Sequence, residues 1–180
     1  MPFVVFRTDH FTDYTDRSGI SRLKVDSSSA AQASGSEFQT TQSPSAVSSP
    51  QVLRIVAPNP IDITGMELTA VVGGSSVQVF ESSAGTPGGS FTATPIKSTN
   101  LRNVKSPTFT AATGGTFTPS AAALRTMVAN SGTAVAPLAS VNRVNNRVLS
   151  LSAGTYYIVT GLLAGVTAFT GELIVTIVDL

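Results

Sequence analysis

Residues 51–180 consist of short runs of β-branched and aromatic side chains, cut about every 8–12 residues by Gly, Pro and Asn turns. This spacing constrains the chain more than any other feature. Strands so short cannot bury an apolar face alone, so they must assemble into packed sheets. The runs are residues 52–56, closed by Ala57-Pro58-Asn59-Pro60; residues 61–72, one or two strands ending at Gly73-Gly74; and residues 77–81, where Val77 and Val79 alternate with Gln78 and Phe80. Residues 84–89 (AGTPGG) read as a turn, and residues 91–96 alternate again. Residues 107–111 and Phe117 flank a turn at Gly114-Gly115. Residues 147–151, 155–160 and 172–178 complete the set, the last almost continuously apolar, as a strand buried on both faces would be. The three Gly-Gly pairs read as hairpin turns, since no Gly-Lys-Ser/Thr follows them to make a phosphate loop. Serine and threonine, 23 of each, suit turns and strands respectively. The expected fold is an all-β antiparallel sandwich, of jelly-roll type or similar. Residues 119–129 compete with it: Ser120 is a helix N-cap ahead of good helix formers, so this stretch reads as one short helix or an irregular loop.

The first 50 residues differ in chemistry. Residues 1–26 hold Arg7, Asp9, Asp13, Asp16, Arg17, Arg22, Lys24 and Asp26. Residues 27–50 (SSSAAQASGSEFQTTQSPSAVSSP) carry one charge, Glu37, and one aromatic, Phe38. Such a segment buries too little apolar area to offset its own ordering entropy. Residues 1–50 therefore read as an extended arm and linker, either flexible or ordered by a partner, and 51–180 as the folded body.

Composition removes whole classes of function. The chain has no cysteine, which excludes disulfides, thiolate metal sites and a Cys nucleophile. Its one histidine, His10, leaves His-dependent catalysis without partners. Asp9, Asp13 and Asp16 could approach a cation, but they lack the spacing and the sixth-position glycine of a calcium loop. No G-x-S-x-G holds a serine on a strained turn. The expectation is a protein that is not an enzyme and uses no metal or cofactor. A membrane span is not expected either: the apolar stretch 156–171 is ended by Glu172 after about 16 residues.

Charge is segregated. Between Glu81 and Glu172 there is no acidic residue, while Lys97, Arg102, Lys105, Arg125, Arg143 and Arg147 fall in that stretch. Folding could interleave them with acids elsewhere, or could gather them on a basic face for an acidic partner. Few aromatics accompany them to stack bases, so direct nucleic-acid binding is not expected.

Residues 73–116 resemble the β-sandwich decoration, or cement, proteins on the heads of tailed bacteriophages. The residues that carry the resemblance are the strand end Phe80-Glu81, the turn Thr86-Pro87-Gly88-Gly89, the strand 91–94, Ser98-Thr99-Asn100, Ser106-Pro107-Thr108 and Gly114-Gly115-Thr116. Residues 151–158 look like that family's penultimate strand and 172–180 like its final one. An Asn-Arg pair usual in the family is spread here into Asn100-Leu101-Arg102-Asn103, and the arm has no close counterpart. The resemblance implies a virion protein on the outer capsid surface, made in the host cytoplasm. It would bind where major capsid subunits meet and self-associate, with a trimer favoured over a dimer. A tail, neck or fibre component is the alternative, and a carbohydrate-binding or adhesive sandwich a further one. The candidate partner contacts are Phe3, Val4, Val5 and Phe6, able to add a strand to a neighbour's sheet or to the body's own edge, together with Arg102 and Lys105.

Overall fold

Alternating side chains make strands wherever one face can be buried, and in this chain they do so almost throughout. A computed structural model describes residues 11–15, 21–25, 31–32, 34–129, 140–144 and 148–180, with backbone alone for 11–15, 21–25 and 140–144. The strands are β1 (Phe11–Thr15), β2 (Ser21–Val25), β3 (Glu37–Gln42), β4 (Gln51–Ala57), β5 (Ile61–Val72), β6 (Ser75–Glu81), β7 (Gly85–Ala93), β8 (Ile96–Ser98), β9 (Thr110–Pro119), β10 (Arg125–Ala129), β11 (Ser140–Val144), β12 (Leu149–Leu151), β13 (Gly154–Leu162) and β14 (Thr170–Asp179). One short 3-10 turn, Ser82–Ala84, interrupts them.

Two antiparallel sheets form the sandwich. One runs β10-β6-β13-β4-β9-β7; the other runs β11-β5-β14-β3-β8, with β12 also paired to β5. Their inner faces share one core. Leu53, Ile55, Val77, Val79 and Ile158 come from the first sheet; Phe38, Ile61, Ile63, Leu68, Leu173, Val175 and Ile177 come from the second. Each of these side chains is worth about 1.5–3 kcal/mol when removed from water. The all-β sandwich expected from the alternation is the fold of the described chain.

How the strands pair departs from the expectation. Among the described residues only β1 and β2 pair as sequence neighbours; every body strand pairs with strands distant in the chain. Gly73-Gly74 does not turn a hairpin. It carries the chain from β5 in one sheet to β6 in the other, with Gly73 at φ +71° beside the Ala168 carbonyl. Residues 85–89, expected in a turn, lie in β7, and Gly114-Gly115 lies inside β9. These two glycine pairs are the two sides of one irregularity: β7 shifts register between Gly88 and Phe91, directly across from Gly114 and Thr116. Gly89, Gly114 and Gly115 all have positive φ there, where a side chain would be strained. Of residues 119–129, expected as a helix or an irregular loop, 120–124 are irregular and 125–129 form the edge strand β10, because Met127 and Ala129 can alternate into the core.

Three further expectations change. Residues 37–42, within the segment expected to be a linker, are an interior strand: β3 pairs with β14 over six residues and with β8 over three. Phe38 is buried at 1% exposure, edge-on to Phe109 with ring centroids 5.8 Å apart. Residues 11–25 include the paired strands β1 and β2, so the arm is not simply extended. The strand buried on both faces is β13, from Tyr156 to Thr160, not β14, whose Ile174 and Thr176 are only half-buried.

Candidate functional site

Three places outside the main core concentrate side chains. The first explains why β13 is covered twice. β9 pairs with β4 only through residues 110–113; beyond them it continues paired to β7 alone. This glycine-kinked ribbon lies over the outer face of the first sheet. There Phe117 stacks on Tyr157, centroids 4.4 Å apart and planes 15° apart, and Phe80, Val52 and Val159 complete a second apolar cluster. The Arg54 guanidinium lies 4.6 Å from the Phe91 ring centroid at the rim, a cation–π contact. The cluster is filled by its own side chains and anchors the ribbon.

The second place is a cleft of about 230 Å³ lined by Glu81, Ser82, Ser83 and residues 152–156. It sits where β12 crosses to β13 between the sheets. The Tyr156 hydroxyl donates to the Ser152 carbonyl at 2.8 Å. A tyrosine at a strand start bonding back to the preceding corner is the arrangement called a tyrosine corner, which locks a crossing between sheets. Burial pushes the Tyr156 phenol above its ordinary value, and the neighbouring Glu81 adds to the effect. The cleft is therefore accounted for by a structural bond.

The third place is the loop from β8 to β9. The Asn100 side-chain carbonyl accepts from the backbone N–H of Arg102 at 2.8 Å and of Asn103 at 3.2 Å, closing a tight Asx-type turn. The Asn103 amide donates to the Ser34 carbonyl at 2.8 Å. Thr99 donates twice to the Glu37 carbonyl, from its N–H at 3.1 Å and its hydroxyl at 3.2 Å. At the far foot, Thr108 donates its N–H and its hydroxyl to the two Asp179 carboxylate oxygens, both at 2.7 Å. Phe109 then enters the core. The loop is thus tied to β3, to β14 and to residues 34–36. It holds outward Leu101, 88% exposed, and Val104, 67% exposed, in alternation with the exposed Arg102 and Lys105.

The expected contacts fall as follows. Arg102 and Lys105 both lie on this loop, which follows Lys97 on β8 in the chain. Phe3, Val4, Val5 and Phe6 lie outside the described residues. The basic stretch does not gather into one face, because Arg125 on β10 and Arg143 on β11 belong to the edge strands farthest in each sheet from β7 and β8. Sequence reasoning passed over Leu101 and Val104. Their signal was two lone apolar residues, in Leu101-Arg102-Asn103-Val104-Lys105, that match neither strand nor helix period. The chain matches no known family model, curated protein or solved structure. Among the described residues no three His, Asp or Glu side chains converge as metal ligands, and no helix is long and apolar enough to cross a membrane.

Proposed function

We propose that this protein is a virion structural protein, a cement protein on the head of a tailed phage, bound where major capsid subunits meet. The observation that carries the reading is the hydrogen-bonded loop with Arg102 and Lys105 at its tip, beside residues 34–36, where the arm joins the body. A rigid tip and an arm leaving from one end of a sandwich suit a protein that grips a surface across a subunit boundary. Two of the motifs behind the resemblance, Thr86–Gly89 and Gly114–Thr116, face each other on paired strands, Gly88 on β7 opposite Thr116 on β9. On this reading the protein self-associates, a trimer being favoured, and resides on the outer capsid surface. The carbohydrate-binding reading is less well supported, because Tyr156 and Tyr157 are buried and give no stacking platform. Quantitative mass spectrometry of purified virions tests the proposal. Hundreds of copies per particle are expected. A dozen or fewer would move the protein to the tail, neck or fibre, and its absence from particles would refute a virion role.

A further inference from the structure

The loop from β8 to β9 spends hydrogen bonds on holding side chains that the sandwich does not use. Leu101 and Val104 bury nothing in the core, and they point outward from a backbone braced at Asn100, Asn103 and Thr108. Exposed apolar groups gathered on one loop and rimmed by polar residues are the kind of patch that marks an interaction site. Arg102 and Lys105 alternate with these two residues along the loop, and neither forms an ion pair with a described residue. Asp179, at the foot of the loop, is occupied by Thr108. We infer that residues 101–105 are a preorganised docking tip that seats Leu101 and Val104 in an apolar pocket rimmed by carboxylates on a protein partner. The inference rests on the cement reading, which makes that partner the capsid shell.

The chemistry favours an acidic protein surface. The two cations alternate with the two apolar residues along residues 101–105, so the pocket and its acidic rim would be engaged in one step. The loop has no aromatic side chain between Thr99 and Thr108 to stack on a base. Bracing removes most of the ordering cost that a free loop would bear on binding. Apolar anchors at the centre with charges at the rim divide the labour: the anchors set residence time, and the charges set encounter rate and salt dependence.

The test is co-sedimentation of the full chain with capsid shells assembled from the major capsid protein of the same virion, at low and high salt. Leu101→Ser with Val104→Ser should lower affinity about tenfold or more at both salt concentrations. Arg102→Glu with Lys105→Glu should lower affinity at low salt and flatten the salt dependence. Both double variants should unfold at the wild-type temperature, because all four side chains are exposed. Variants that bind within twofold of wild type would overturn the docking tip while leaving the cement reading standing. A large loss of thermal stability in the Leu101/Val104 variant would overturn it too, by making these residues structural. If the wild type itself fails to sediment with shells, the cement reading falls, and this partner with it.

Discussion

Replacing Phe38 with alanine asks whether residues 37–42 are part of the folded body or an appendage to it. Phe38 is 1% exposed, packs edge-on against Phe109, and sits in a strand between β14 and β8. Truncating a fully buried phenylalanine costs about 3–5 kcal/mol, from lost transfer energy and the cavity left behind. Domains of this size are stable by only about 5–15 kcal/mol. With an m-value of about 2 kcal/mol/M, the urea midpoint should fall by about 1.5–2.5 M. Leu101→Ala, on an exposed side chain, is the control and should stay within about 0.5 kcal/mol of wild type. Truncations extend the test. Deleting residues 1–30 leaves every strand of both sheets in place and should preserve a cooperative transition. Deleting residues 1–50 removes β3, strips β8 of its only strand partner among the described residues and opens the edge of β14; it should abolish that transition. A Phe38→Ala midpoint within about 0.3 M of wild type, or a cooperatively folded body after the longer deletion, would refute the placement of β3.

Tyr156→Phe removes the bond to Ser152 and should cost about 1 kcal/mol, read as a fall of about 2–4 °C in melting temperature. Because folding raises the Tyr156 pKa from an ordinary 10.0, the stability this group contributes is complete below pH 10. It is lost as pH rises through the higher folded-state value. Stability measured across that alkaline range should fall more steeply for wild type than for Tyr156→Phe, and equal slopes would refute the linkage. Gly115→Val places a β-branched residue at φ +58° with its Cβ 2.6 Å from the Phe91 ring. It should cost about 2–3 kcal/mol or more and lift the ribbon, seen as a changed near-ultraviolet signal from Tyr157; an unchanged spectrum and stability would count against the covered outer face.

Much of the strand content was legible because alternation is local. Val77 and Val79 go inward and Gln78 outward with no knowledge of the rest of the chain. What covers the outward Phe80 was not legible in the same way, since the ribbon over it is built from residues 85–119, and a window around β6 contains no trace of them. Glycine pairs misled for the same reason. A Gly-Gly between two strands is compatible with a hairpin, a crossing between sheets or a bulge, because all three need positive φ. The candidate site was half legible: Arg102 and Lys105 stood out by charge, whereas Leu101 and Val104 became visible only once the loop around them was seen to be tied down. The linker composition of residues 27–50 hid β3 because a central strand can take its apolar surroundings from its neighbours. Leu173, Val175 and Ile177 of β14 bring those surroundings to Phe38.

The amino-acid sequence alone determined that this chain makes short strands, that it forms an all-β sandwich, and that it has no thiol chemistry. Those properties follow from side-chain type and period-two alternation, which act within a few residues. Only the tertiary structure decided which strand lies beside which. Backbone hydrogen-bonding groups are the same on every strand, so pairing is chosen by how side chains from distant segments fill the space between and outside the sheets. In the body no strand pairs with its sequence neighbour among the described residues. Local chemistry therefore specified the pieces, and long-range packing specified their order, including the union of β3, β14 and the loop from β8 to β9 at the end that carries the candidate site.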